Sequence, residues 1–366
     1  LSFLLVCRAI LKTFRLAELM YFMRTYFNLF ALLFLSVGCA QFSQIPEKED
    51  SLLTKIEQRG LLLCGVSGVL PGFSKTDAND KMAGFDADLC RAIAAAVLGD
   101  GDKVRYIPLD AVARFTALAD GTIDVLVRNT TWTLSRDTKR GLVFAGVNYY
   151  DGQGFMVKRS LGVASAQQLA GVSVCTQRGS TSQLNMADYF RVSGMSYQPI
   201  IYDSFAKTRE GFDKGECDVL TTDLSQLAAI RTQLTEPQGA IILPEIISKE
   251  PLGPVVREGD EQWFRIVKWT LFALINAEEE GVTKDNVAQL RSESQEPNIR
   301  RLLGQEGNIG EGLGLNDDWA YKAIRSVGNY GEIFDRHLGP TSELELPRGL
   351  NRLWSDGGIL YAPPIR

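Results

Sequence analysis

Tyr106-Ile107-Pro108-Leu109, followed after a helix-like stretch by Gly121-Thr122-Ile123-Asp124-Val125-Leu126, is echoed later in the chain. The echo reads Tyr197-Gln198-Pro199-Ile200 and then Gly215-Glu216-Cys217-Asp218-Val219-Leu220. Tyr and Pro recur at an offset of 91, Gly and Asp-Val-Leu at an offset of 94. Upstream, Leu61-Leu62-Leu63-Cys64 and Val172-Ser173-Val174-Cys175 are matching apolar runs, each soon followed by a helical pattern. Fixed-offset self-similarity marks copies of one supersecondary unit. Short apolar runs alternating with amphipathic stretches read as β-α-β-α-β, a parallel sheet covered by helices. Three echoes in one order predict an α/β fold of two related lobes.

The helices between these strands follow from spacing. Phe85, Leu89, Ile93 and Val97 fall on one face at four-residue steps, with Asp86 near the start as cap or dipole partner. Residues 111–120 form a helix stopped at Gly121. Residues 263–279 form a long helix that turns Ile266, Val267, Thr270, Leu271 and Leu274 inward. Its end, Glu278-Glu279-Glu280 before Gly281, reads as solvated. The glycine-rich stretch 307–314 lacks the G-x-G-x-x-G order and a preceding strand, so it reads as a loop and not a phosphate cradle.

Composition narrows the function. At 366 residues the chain accommodates two cores, and 45% hydrophobic with 23% charged residues is ordinary for a folded protein. A net charge of −5 gives no basic field for gripping phosphate backbones, so nucleic acid is not an expected partner. The single histidine, His337, leaves little room for a His-based triad or a multi-His metal site, and reads as solvated or capping.

The first forty residues read as an address. From Met23, where translation is expected to begin after an upstream extension, the order is Arg24, an apolar stretch over 27–37, then Gly38, Cys39 and Ala40. This is the order of a secretory signal peptide, and the apolar stretch is too short to span a bilayer. Leu35-Ser36-Val37-Gly38-Cys39 resembles a bacterial lipoprotein box, with Ser36 where leucine is usual. Acylation at Cys39 and plain cleavage near Ala40 both stand open. Removing residues 1–38 leaves 35 basic and 43 acidic groups, a net of −8. Export makes Cys64, Cys90, Cys175 and Cys217 candidates for two disulfides in any of three connectivities, with four buried thiols as the alternative. No C-x-x-C suggests zinc or a redox motif.

In open parallel sheets ligands bind beyond the carboxyl ends of the strands, and with two lobes those ends can share a cleft. Position alone nominates residues 65–73, 128–132, 178–182 and 221–223. These segments offer donors and one acceptor anion, but no nucleophile–base pair, cofactor motif or metal cluster. The inventory suits a zwitterion. A guanidinium takes a carboxylate through two parallel bonds, amides after Gly179-Ser180-Thr181 open a helix, and Asp223 would take an ammonium. The plainer alternative makes Asn129-Thr130-Thr131 a polar strand end with a helix cap and Arg136 a surface cation.

Gly84-Phe85-Asp86-Ala87-Asp88-Leu89-Cys90-Arg91-Ala92-Ile93-Ala94 resembles the signature of the extracellular solute-binding proteins of polar amino-acid ABC transporters, with Ala87 where a larger apolar residue is usual. The chain is more similar still to the general L-amino-acid-binding periplasmic subgroup. That likeness runs through Arg128-Asn129-Thr130-Thr131-Trp132-Thr133-Leu134-Ser135-Arg136-Asp137 and Val147-Asn148-Tyr149-Tyr150-Asp151-Gly152-Gln153-Gly154-Phe155. It continues in Leu243-Pro244-Glu245-Ile246-Ile247-Ser248-Lys249-Glu250-Pro251-Leu252-Gly253-Pro254 and Tyr361-Ala362-Pro363-Pro364-Ile365-Arg366.

The resemblance implies a periplasmic-binding-protein type II fold, two α/β lobes joined by a two-strand hinge. Lobe 1 would be residues 52–148 and 250–366, lobe 2 residues 152–245, with hinges near 148–152 and 244–251. It places the carboxylate-binding arginine on Arg136 and adjoining polar contacts on Asn129 and Thr131. Helix-start contacts fall on Ser180 and Thr181, the amino-binding aspartate on Asp223, and Ser67 with Gly68 shape the side-chain pocket. It implies capture of free L-amino acids of broad range for a permease in the inner membrane. The protein would be periplasmic, with or without a lipid anchor at Cys39, and without cofactor. A hinged protein should avoid a disulfide between lobes, so Cys64 is expected to join Cys90 and Cys175 to join Cys217. The rivals are a cyclohexadienyl-dehydratase-like enzyme on this fold, with Asp223 as proton donor, and a ligand-sensing module, which would need a signalling region not read here.

Overall fold

The repeat becomes two sheets with one strand order. The computed structural model describes residues 51–77, 79–139 and 141–366, and the signal peptide and Cys39 lie outside them. Helix α1 (Leu52–Arg59) is capped by Ser51 and closed at Gly60, and it leads into β1 (Leu62–Val66). A small three-stranded sheet follows, β2 (Val69–Leu70), β3 (Ser74–Thr76) and β4 (Met82–Ala83). Then come α2 (Phe85–Leu98), β5 (Val104–Pro108), α3 (Ala113–Ala119), β6 (Val125–Leu126), α4 (Leu134–Lys139) and β7 (Leu142–Phe144). The chain crosses as β8 (Tyr149–Lys158) and builds the other lobe from β9 (Ser173–Gln177), α5 (Thr181–Ser193), β10 (Gln198–Tyr202) and α6 (Phe205–Lys214). That lobe is completed by β11 (Val219–Asp223), α7 (Leu224–Thr232) and β12 (Ala240–Ile242). The chain returns through β13 (Ser248–Leu252) and β14 (Val255–Arg257).

The first sheet runs β5-β1-β6-β14-β7 and the second β10-β9-β11-β8-β12, the same order position by position. In each, the fourth strand alone runs antiparallel to its neighbours, and the other four share one direction. The fourth strand arrives from the other lobe each time. β8 and β13 pair as antiparallel neighbours from Leu252↔Tyr149 to Ser248↔Gln153, and they form the crossing.

The repeated aspartates do the same work twice. Asp124 accepts from the amide of Leu63 and Asp218 from the amide of Ser173, each at 2.8 Å. Cys64 is therefore equivalent to Val174, and Cys175 to Gly65. The match of Cys64 with Cys175 made from sequence is one residue out of step. Neighbours on a strand face opposite sides of a sheet, so the two cysteines point to opposite faces. Cys64 bonds Cys90 on α2, and Cys175 bonds Cys217 ahead of β11. Ile123 is the counterpart of Cys217, and it packs so closely on Gly65 that a Cβ there would lie 2.5 Å from its Cδ1.

Lobe 1 carries a helical cover over α2, made by α8 (Glu261–Glu279), α9 (Val287–Glu293), α10 (Pro297–Leu302), α11 (Trp319–Val327) and α12 (Tyr330–His337). Ile266, Val267, Thr270, Leu271 and Leu274 are buried on α8. His337 ends α12 and is neither solvated nor a cap. Its Nε2 lies 2.7 Å from Oδ2 of Asp88, whose carboxyl His337 and Arg336 hold below the usual range despite burial. Among the described residues no helix is long and apolar enough to cross a membrane.

Candidate functional site

The carboxyl ends of β6 and β9 face a cavity of about 740 Å³ lined from both lobes. Phe115, Thr133, Ser135 and Arg136 line it from one side, Gly179, Ser180, Thr181 and Asn185 from the other.

Arg136 is 8% exposed and is no surface cation. Its Nη1 donates to the carbonyl of Thr131 at 2.8 Å, and its guanidinium lies 5.3 Å from the centroid of the Phe115 ring. Arg114 lies 4.7 Å from the same centroid and donates to the carbonyl of Arg128 and the hydroxyl of Thr130. Burial draws Arg128 down to about 10, which still leaves it cationic near neutrality. Lobe 1 thus presents three buried guanidinium groups.

The strand end that carries Arg128 is shaped by Asp86. Asn129 has φ +29, in the left-handed region that asparagine tolerates better than most residues, and its amide donates to Asp86 Oδ2 at 2.9 Å. Asn148 Nδ2 reaches the other oxygen. Burial pushes Asp86 up to about 7 against the pull of these bonds and of Arg128. Asp86 is not the cap that its place in the sequence suggested: Gly84 is the N-cap of α2 and makes no side-chain bond. A Cβ at Gly84, φ +135, would meet the Phe73 carbonyl at 2.2 Å.

Across the cleft, Ser180 caps α5 by accepting from the Gln183 amide and donates to the Gln177 carbonyl, so its hydroxyl is already engaged. Thr181 opens the helix. Its hydroxyl lies 3.3 Å from that of Thr131 in lobe 1 and donates to Glu250 at 2.9 Å. Asp223 ends β11 at the N-cap of α7 without capping it. Its carboxyl is 5% exposed, and among the described residues nothing donates a hydrogen bond to it. Burial first, then Asp151 and Glu250, push it well above the usual carboxylate range, while Arg136 and Arg114 pull it down.

The structure therefore brings Arg136, Ser180 and Thr181 to one cavity, with Thr131 touching Thr181 and Asp223 within electrostatic reach of Arg136. Ser67 and Asn129 are at strand ends but do not line that cavity, and neither Thr131 nor Asp223 is among its lining residues. The Ser67 amide donates to Ser74, and Asn129 Oδ1 is buried without a partner among the described residues. Sequence reasoning passed over Arg114, Asp151 and Glu250 and read Asp86 only as a helix-start acid. Glu250 and Asp151 carried a signal, an acid in mid-strand on each crossing segment.

Two lobes of one topology, crossed by two strands and polar where they meet, define a two-lobed binding protein of the type II periplasmic class. Residues 62–283 match the bacterial extracellular solute-binding proteins, family 3, and the chain belongs to that family. It is 53% identical over 316 residues to the general L-amino acid-binding periplasmic protein AapJ of Rhizobium johnstonii, covering 86% of this chain and 92% of that one. It is 52% identical over 316 residues to the glutamate/glutamine/aspartate/asparagine-binding protein BztA of Rhodobacter capsulatus, covering 86% and 94%. Among solved structures it is similar to an ABC transporter periplasmic binding protein from Brucella ovis with glutathione bound. The TM-score is 0.85 at 50% identity, covering 87% of this chain and all of that one.

Proposed function

We propose that this protein is the substrate-binding component of an amino-acid ABC importer. It takes free L-amino acids of broad range into the cleft and hands them to a permease in the inner membrane. One observation carries the reading: buried charges of opposite sign, the anchored Arg136 and the undonated Asp223, come from opposite lobes. A zwitterion satisfies both, its carboxylate on Arg136 and the amides at Thr181, its ammonium on Asp223. These groups read what all amino acids share, so they admit many side chains. A cavity of about 740 Å³ falls within the range of about 300–1,000 Å³ typical of small-molecule sites. It leaves room for long substituents, as in the glutathione of the Brucella relative. The signal in the first forty residues exports the chain to the periplasm, free or tethered at Cys39.

The raised carboxyl of Asp223 is also what a dehydratase would need in a proton donor. The binding reading expects no turnover of cyclic dienyl acids, and measurable consumption would favour the enzyme. The direct test is a calorimetric and thermal-shift panel of the twenty L-amino acids with several D-isomers and a tripeptide. Ligands of the native state raise the melting temperature by mass action. Binding of several L-amino acids of unlike side chain is expected, and no response from any would sink the proposal.

A further inference from the structure

We infer that Glu250 is a positioning residue for ligand capture, fixing the first turn of α5 to the crossing strands so that the hinge sets the geometry of the clamp. The inference rests on the transport reading above. Glu250 is on β13, in the crossing itself, and is 1% exposed. Thr181 and Asn185 are one helical turn apart and share a face of α5. Thr181 Oγ1 donates to Oε2 at 2.9 Å and Asn185 Nδ2 to Oε1 at 2.7 Å. Ser248, two residues back on the same face of β13, donates to Oε1 at 2.6 Å.

The second crossing strand joins the same turn. Asn185 Nδ2 also donates to Gln153 Oε1 at 2.9 Å, and Gln153 Nε2 donates to the Ser182 carbonyl at 3.1 Å. Gln153 is the register partner of Ser248. From the hinge the bonds run through Glu250 to Thr181, and from Thr181 to Thr131 in the other lobe. Any rotation of the crossing strands must carry the α5 amides with it.

Three donors converge on Glu250, two on Oε1 and one on Oε2. A glutamine could keep the Oε1 pair but would turn its NH₂ toward Thr181, whose hydroxyl would have to accept instead of donate. The position also has a cost. Its register partner is Asp151, half-buried and lifted to about 6 chiefly by desolvation and in part by Glu250. Like charges directly opposite on neighbouring strands are destabilising. Packing alone would be better served by a neutral residue, whereas holding a helix start to a hinge requires the acceptor.

The test titrates the amino-acid panel into the full chain and its Glu250→Gln variant, at a temperature where circular dichroism shows both folded. Loss of a charged acceptor in a buried network is expected to weaken every ligand by about tenfold, with the rank order of ligands kept. Affinities within twofold of the parent would overturn the inference, and so would a loss confined to one side-chain class. If Glu250→Gln does not fold, Asn185→Ala decides. It removes one donor and should weaken all ligands about threefold to tenfold, and unchanged affinity would overturn the inference. A parent chain that binds none of the panel removes the transport reading, and the role of Glu250 falls with it.

Discussion

The two lobes share a strand order and even a pair of equivalent aspartates, yet they are fastened and charged in opposite ways. Lobe 1 ties β1 to α2 through Cys64 and Cys90, on one face of its sheet. Lobe 2 ties the opposite face, through Cys175 and Cys217, where lobe 1 has only Gly65 packed on Ile123. At the cleft, lobe 1 buries Arg114, Arg128 and Arg136, while lobe 2 and the crossing strands bury Asp223 and Glu250 and half-bury Asp151. A duplicated scaffold supplies strand ends, and the side chains placed there decide what binds. In the proposed reading one lobe receives an anion and the other a cation, so the ligand that suits both would carry both charges.

The strongest way to break this comparison is to discharge one lobe at a time. Arg136→Met and Asp223→Asn each leave a ligand charge buried without its partner. Such losses typically cost about 2–5 kcal/mol, on the order of thirtyfold to several thousandfold in affinity. Calorimetry should show the loss for every amino acid, whatever its side chain. Loss of acidic or basic ligands alone would place the residue in the side-chain pocket.

The two disulfides come next. They close loops with sequence separations of 26 and 42 residues, for which chain entropy gives about 3–4 kcal/mol each. Denaturant titration of a Cys64→Ser, Cys90→Ser double variant and of a Cys175→Ser, Cys217→Ser double variant should show comparable losses. They should add in the quadruple variant, because the sites share no partners.

A smaller effect comes with pH. Burial and its acidic neighbours raise Asp223, so at a pH below the pKa of that group the unliganded cleft would hold a proton that the ligand's ammonium displaces. Capture then releases a proton. Affinity should rise with pH until the free-state pKa of the Asp223 group is passed, and fall as pH drops below it, by up to about tenfold per pH unit. Asp151, Glu250, Arg136 and Arg114 all act on this group, so the measured pKa belongs to the cluster. Calorimetry in buffers of different ionisation enthalpy reads the proton directly, and heats independent of buffer would contradict the account.

The smallest effect tests the approach of the lobes. Gly179 has φ +73, and a Cβ there would lie 3.0 Å from Val112 Cγ2 in lobe 1. Gly179→Ala should cost about 1 kcal/mol of folding stability from backbone conformation, and its added Cβ against Val112 should weaken binding by opposing the approach of the lobes. A small-angle scattering titration should need correspondingly more ligand to compact the protein.

The repeat made the two sheets legible, and strand-end geometry led to Thr181 and Asp223, while Arg136, outside the segments that position nominated, came from the family resemblance. The register of the cysteines was not legible. Strands buried on both faces are apolar throughout and carry no alternation to say which way a side chain points. Asp86 sits where an acid favours a helix start, but its real partners, the Asn129 amide and Asn148, are set by tertiary packing. His337 meets Asp88 across 249 positions, which no local pattern announces. Glu250 lies in Ser248-Lys249-Glu250-Pro251, which reads as a polar hinge. Only the docking of α5 against it reveals a buried acceptor.

The division of charge between lobes is tested most directly by one calorimetric series on the parent protein. An L-amino acid that binds is compared with its carboxamide, which lacks the carboxylate, and with its deaminated acid, which lacks the ammonium. Each analogue leaves one buried protein charge unmatched, so each should bind at least about thirtyfold more weakly than the zwitterion. If either binds within threefold of the parent ligand, the lobe that should have held the missing group does not hold it, and the two-receptor account is wrong.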